Sequence, residues 1–206
     1  MIERCISGTE GYSEEAEELL VRYESFSFDD VHSDVLHLLP RPPGVVLDIG
    51  SGTGRDAAHF AKMGFCVVAV EPTDELRLPA SSNHPSPSID WIDDSLPNLK
   101  RIVNRGQHFD LVMLTAVWMH LDATEREKAI PVLASLVRPG GILVMLLRHG
   151  PVPSGRRMFD VSADDTIALA RTVRLVTVMD QHTESSHGGN RRAGVTWTRL
   201  AFEKKS

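Results

Sequence analysis

This sequence of 206 residues predicts an α/β fold with a doubly wound, mostly parallel sheet. Three observations carry that prediction. Short continuous apolar runs, GVVLDIG and CVVAVE among them, read as strands buried on both faces. Helical segments with their own stop signals alternate with such runs along the chain. The first strand, a helix and the second strand follow one another within residues 44–71. That spacing is a βαβ unit, with parallel pairing and a right-handed crossover.

The elements follow in order. GYSEEAEELLVRYESF puts Ala16, Leu19, Leu20 and Tyr23 on one helical face. SFDDVHSDVLHLLP repeats the pattern with Val31, Val35, Leu36 and Leu39, until Pro40, Pro42 and Pro43 stop it. Two acidic amphipathic helices therefore precede the first strand, GVVLDIG. RDAAHFAKMG is a helix with Gly64 as its C-terminal stop. CVVAVE is the second strand, SIDWID a short third, and SLPNLKRIVNRG a helix ending at Gly106. FDLVMLTAV is a fourth strand. DATEREKAIPVLASLV is helical but contains Pro131, which predicts a kink or two pieces. PGGILVMLLRH is a turn and a fifth strand, and SADDTIALAR a helix capped by Ser162. TVRLVTVMD and GVTWTRLAFEK are the last strands, joined without a helix and so antiparallel neighbours. QHTESSHGGNRR between them reads as a mobile loop.

Composition is ordinary for a globular chain, 42% apolar and 24% charged. No apolar run reaches the ~20 residues that span a bilayer. The acids in MIERCISGTEGYSEEAEELL exclude a signal peptide, so a cytoplasmic location is expected. Cys5 and Cys66 read as buried free thiols rather than a disulfide. Net charge is −6, which argues against non-specific nucleic-acid binding. The acids crowd residues 1–137, while residues 138–206 are basic. Arginines of that last third either meet an anionic partner or pair with acids of the first part. The scattered histidines lack the spacing of a metal site, and none is expected.

LDIGSGTGRD packs glycines 50, 52 and 54 directly after the first strand. In an open parallel sheet, ligands sit at the carboxyl ends of the strands, and bare backbone lets a ligand lie on the loop. Glu71 ends the second strand, where a carboxylate accepts from both hydroxyls of a ribose. Loop and acid together imply a nucleoside ligand. A dinucleotide site has G-x-G-x-x-G spacing; here it is G-x-G-x-G, with Asp48 before the loop. That acid repels a pyrophosphate but suits the ammonium and sulfonium of S-adenosylmethionine, which leaves a dehydrogenase disfavoured.

VVLDIGSGTGRDAAHFAKMGFCVVAVEP resembles the first two motifs of the class I S-adenosylmethionine-dependent methyltransferases, and IDWIDDSLPNL, FDLVMLTAVWMHL and LVRPGGILVMLLRHGP resemble the later ones in family order. The resemblance covers residues 44–150. It implies a Rossmann-like seven-stranded sheet in order 3-2-1-4-5-7-6, closed by an antiparallel hairpin, with S-adenosyl-L-methionine as cofactor. The chain is then one methyltransferase domain, 1–206, with residues 1–40 as helices that form a lid and 41–206 as the catalytic core. Asp48, Gly50, Ser51, Gly52 and Gly54 would meet the methionine end. Glu71 would hold the ribose, with Pro72 or Thr73 beside the adenine. Asp94 and Ser95 would meet the adenine edge, with Asp93 an equal candidate for the acid. Thr115 and Ala116 would lie near the reacting centre. The asparagine-proline-proline-aromatic signature of amino-methylating relatives is replaced by TAVW, which disfavours DNA bases and protein glutamine as acceptors.

A small-molecule acceptor is expected, transferred to by in-line displacement. An RNA- or tRNA-directed enzyme and a non-catalytic cofactor-binding protein are the alternatives. His120, just past the fourth strand, is either a catalytic base or a residue that orders its loop. Trp118 either walls the acceptor pocket or packs in the core. Arg148, His149, Arg156 and Arg157 are candidates for an anionic group on the acceptor. Tyr12 and Tyr23 close over the cofactor or pack inward. The oligomer is read as a monomer or homodimer.

Overall fold

The computed structural model describes residues 6–185 and 187–206. Seven strands form one sheet: β1 Val45–Ile49, β2 Cys66–Val70, β3 Ile89–Ile92, β4 Phe109–Thr115, β5 Val137–His149, β6 Leu175–Glu184 and β7 Thr196–Lys204. Their order is β3-β2-β1-β4-β5-β7-β6. The first five pair in parallel and β7 runs antiparallel between β5 and β6. The expected order and closing hairpin are therefore present.

The continuous apolar runs are explained by burial on both faces. In β4, Val112 and Leu114 enter one core layer and Leu111 and Met113 the other. In β1, Leu47 and Ile49 face the first layer and Val46 the second. Helix α3, Arg55–Met63, starts at left-handed Gly54 and stops at left-handed Gly64. Helix α7, Ala163–Thr172, is capped by Ser162, whose side chain accepts from Asp165 N.

Several expectations are corrected. The second N-terminal helix is only Phe28–His32 (α2, after α1 Ala16–Glu24) and tightens into a 3-10 turn over Ser33–Leu38, leaving Leu36 exposed. A helix α4, Asp74–Asn83, follows β2 unforeseen; it carries Pro79 and buries Leu76 and Ala80 one turn apart. Helix α5 is shortened to Lys100–Val103, because Leu99 sits in the left-handed region and Asp94 accepts from the N–H groups of Arg101 and Ile102. Helix α6, Ala123–Leu136, runs unbroken through Pro131. The carbonyl deprived of a donor belongs to Glu127, on the exposed side where water can reach it. Much of the expected loop is regular structure: β6 continues through Glu184, and Gly188–Arg192 forms a short helix, α8, while Ser186 lies outside the described residues. Cys66 is exposed at the start of β2, and Cys5 lies outside the described residues.

Part of the basic last third is paired inside the molecule. Arg156 meets Glu15 at 2.7 Å, Arg157 meets Glu125 at 2.9 Å and Asp122 at 3.1 Å, and Arg199 meets Asp34 at 3.3 Å. These links hold the N-terminal helices and the start of α6 to the C-terminal part. No helix among the described residues is long and apolar enough to cross a membrane.

Candidate functional site

A cavity of about 740 Å³ opens at the carboxyl ends of β1, β2, β4 and β5. This volume is in the range of small-ligand sites. One wall is the β1–α3 loop. Its backbone is committed internally: Gly50 and Ser51 donate to Val70 O, Gly52 donates to Glu71 Oε2, and Gly54 donates to Ser51 O. The loop therefore does not present these amides as an anion cradle, unlike a pyrophosphate site.

The three glycines are bare for different reasons. A side chain at Gly50 would strike Val117, and one at Gly54 would strike the ring of Trp91. Around Gly52 nothing lies within 4 Å of a Cβ position, and this residue lines the cavity. Only at 52 does bare backbone face open space beside the site. Gly54, expected at the methionine end, does not line the cavity; its left-handed backbone and the Trp91 ring account for the glycine.

Asp48 and Ser51 line the cavity beside the loop. Asp48 is buried with no hydrogen-bond partner for Oδ2, and Ser51 Oγ is likewise unpartnered. Burial, reinforced by nearby Asp56, pushes the Asp48 carboxyl well above the usual range. Glu71 accepts from Gly52 N with one oxygen and from Thr73 N with the other, both at 2.9 Å. The Thr73 side chain bonds it as well, so of about four acceptor positions on a carboxylate about one remains. Burial raises its pKa despite these bonds. Pro72, Thr73, Asp94, Ser95, Thr115 and Ala116 also line the cavity. Asp93 does not; it points to Arg101 at 3.5 Å and Arg77 at 4.0 Å, so Asp94 is the acid that reaches the cavity.

A polar group that the sequence did not flag sits behind Asp48. Asp56 of α3 accepts from Arg55 Nε at 2.7 Å and Thr115 Oγ1 at 3.1 Å, and meets His32 Nε2 at 2.8 Å. The basic neighbours hold its carboxyl far below the usual range, against the opposing effect of burial.

The second wall comes from the N-terminal segment and the strand ends of the hairpin. Tyr12, Tyr23, His120 and Arg148 all line it. His120 Nδ1 lies 2.7 Å from Arg157 O, and Nε2 lies 3.0 Å from the Tyr12 hydroxyl. A carbonyl can only accept, so Nδ1 carries the proton and the lone pair of Nε2 accepts from Tyr12. Burial lowers the His120 pKa and raises that of Tyr12, so both groups are neutral near pH 7. Arg156 stacks on Tyr12 at 4.0 Å from its ring centroid.

Trp118 is placed differently from one of its two readings. It is fully buried, donates to Thr166 Oγ1 at 3.2 Å and does not line the cavity; it is core. His149 meets Thr198 Oγ1 at 2.8 Å, and neither it nor Arg157 lines the cavity. Trp197 of β7, which the sequence reading passed over, does line it. Among the described residues no cluster of side chains suits a metal ion.

A family model described as a methyltransferase domain matches residues 46–141, the span from β1 to the start of β5 that builds the first wall. Over that span the chain is similar to methyltransferase domains. Glycine N-methyltransferase of Mus musculus is 31% identical over 147 residues, 60% of this chain and 50% of that protein. The chain thus spans about half the length of the curated relatives it matches. Among solved structures, a TehB-like methyltransferase of Corynebacterium glutamicum superposes with TM-score 0.70 at 20% identity, over 93% of this chain and 99% of that one. The 1,6-didemethyltoxoflavin-N1-methyltransferase of Burkholderia thailandensis superposes with TM-score 0.65 at 21% identity, covering 94% and 90%. At these identities the likeness of the methyltransferase structures is one of fold.

Proposed function

We propose that the protein transfers the methyl group of S-adenosyl-L-methionine to a small-molecule acceptor. One observation carries this reading. A single cavity joins unpartnered Asp48 Oδ2, the bare face of Gly52 and the Glu71 carboxylate to a second wall that holds Tyr12 and His120.

The first wall fits the cofactor chemically. Asp48 offers a buried oxygen to an ammonium group. Gly52 admits close approach, and Glu71 keeps acceptor capacity for a ribose hydroxyl. Pro72, Thr73, Asp94 and Ser95 then flank the base, with Thr115 and Ala116 beneath the reacting centre. When bound, the cofactor supplies a methyl group already activated by positive sulfur.

The chain's own share is alignment, exclusion of water and movement of a proton. Of the expected lid, residues 6–40 are described and serve that role: Gly8, Tyr12, Tyr23 and Asp34 lie on the cavity wall. His120 serves as base through Tyr12. The acceptor's proton passes to the phenol oxygen as the phenol proton passes to Nε2, while Arg157 O holds Nδ1–H in place. A small acceptor is supported by the enclosure of the cavity under the N-terminal helices. It is supported also by the relative from Mus musculus, whose name gives glycine as its acceptor.

The test is calorimetric binding followed by turnover. S-adenosylhomocysteine should bind with micromolar affinity, NAD far more weakly, and S-adenosylmethionine should be consumed with a panel of small acceptors. Tight binding of NAD, or binding without turnover across a broad panel, would overturn the reading. An RNA gel shift at physiological salt should show no complex.

A further inference from the structure

The hairpin register places two pairs of side chains on one face of the sheet. Arg148 lies opposite Trp197, and Leu146 lies opposite Arg199, across β5 and β7. All four line the cavity, with Tyr12 and Tyr23 of the N-terminal segment also on its wall. This platform is the part of the cavity away from the glycine loop.

Its charges are unequal. Among the described residues, each other arginine on the cavity wall has a carboxylate: Arg22 has Glu18 at 3.5 Å, Arg55 has Asp56 at 2.7 Å, Arg156 has Glu15 at 2.7 Å and Arg199 has Asp34 at 3.3 Å. Arg148 donates to Pro151 O at 2.9 Å and has no such partner among them. Its electrostatic neighbours are the phenols of Tyr12 and Tyr23. A half-buried guanidinium that bonds a carbonyl and faces two phenols is a fork awaiting an oxyanion.

We propose that the acceptor is a monocarboxylate, held by the Arg148 guanidinium with its body against Trp197. This rests on reading the cavity as shared by cofactor and acceptor. The charge of the ligand follows from the wall: one cation is uncompensated, so one negative charge is matched. A phosphate dianion would leave an unpaired negative charge in a site with no second unpaired arginine. Trp197 adds a flat apolar surface at the paired position, which favours an acid whose carboxylate is carried on an apolar or planar body.

The experiment titrates wild type and Arg148→Met with benzoate, benzamide and phenyl phosphate, in the presence and absence of S-adenosylhomocysteine. Benzoate should bind wild type at millimolar concentration or below, and benzamide about tenfold more weakly or worse. Arg148→Met should lose about tenfold or more for benzoate, the loss of a charge-assisted pair. Its affinity for S-adenosylhomocysteine should stay within about twofold, a check that it also folds. Trp197→Ala should weaken benzoate while leaving the cofactor product unaffected. The proposal is overturned if benzoate does not bind wild type, if Arg148→Met binds it equally well, if benzamide matches benzoate, or if phenyl phosphate binds more tightly. A fall in S-adenosylhomocysteine affinity in Arg148→Met would move this arginine to the cofactor's own carboxylate and also overturn it. Failure of wild type to bind S-adenosylhomocysteine would instead refute the methyl-transfer reading, and the titrations without it would still test Arg148.

Discussion

Replacing Glu71 with alanine separates two jobs that this carboxylate is given. In the ligand-free protein it accepts from Gly52 N and Thr73 N, so it ties the glycine loop to the end of β2. Alanine leaves both N–H groups without a partner, at about 1–3 kcal/mol each. For a chain of this size each kcal/mol lowers Tm by about 2–4 °C, so a fall of about 5–20 °C is expected. If Glu71 also accepts from a ribose hydroxyl, as proposed, losing that contact costs a further ~1–3 kcal/mol, about 5- to 150-fold in Kd. Thermal melts read the first effect and calorimetry with S-adenosylhomocysteine reads the second. A loosened loop could also weaken binding, so the variant is paired with a ligand lacking both ribose hydroxyls. Glu71→Ala should then bind that analogue about as well as wild type does, the signature of a direct contact in a double-mutant cycle. If the variant loses the same factor for both ligands, Glu71 is a brace for the loop and the ribose assignment fails.

Three further outcomes are expected. Asp48→Asn should raise the Tm of the ligand-free protein, because at neutral pH the folded chain holds a carboxyl whose pKa burial has raised. Between the ordinary value of 3.8 and that raised value the folded state binds the extra proton, so this group's contribution to stability falls as pH rises. At a pH below that raised value, cofactor binding should release a proton, seen as a buffer-dependent calorimetric heat, and no release at any pH above 3.8 would refute the contact with Asp48. His120→Asn and Tyr12→Phe should each lower kcat by about 10²- to 10⁴-fold for an acceptor that must lose a proton, with cofactor Kd unchanged. The acidic limb of the wild-type profile should lie below pH 6.5, since burial lowers the His120 pKa from that value. Between the lowered value and 6.5 the unfolded chain binds the extra proton, so stability rises with pH there, a slope His120→Asn should reduce. Trp118→Ala should cost about 3–5 kcal/mol of stability, as truncation of a fully buried ring does, without changing acceptor KM in the folded fraction. A large KM effect at unchanged Tm would return Trp118 to the pocket.

The strands and the first wall of the site were legible because their signals are local. A strand buried on both faces is a continuous apolar run, and the glycine loop follows β1 directly with Glu71 at the end of the next strand. Helix α4 was hidden by Pro79, whose usual cost is relieved because Glu75, the residue whose carbonyl loses its donor, is exposed to water. Asp48 and Gly52, which the local pattern singles out, line the cavity; Gly54 shares that pattern for a packing reason, visible only once Trp91 of β3 is placed over it.

By itself the chain determined the α/β alternation, the strand order implied by its motifs and the acids that flank the glycine loop, all of which depend on side chains within a turn or a strand of one another. Only the tertiary structure decided which aromatic and which arginine face the cavity. Trp118 and Trp197 are equally apolar in sequence, yet one is sealed against Thr166 and the other stands on the cavity face of β7. Arg148 and Arg156 are equally cationic, yet Glu15, far away in the chain, neutralises only the second. Tyr12 and His120 meet across 108 residues. Contacts of that separation are set by packing and charge pairing in the folded chain, and no local pattern encodes them.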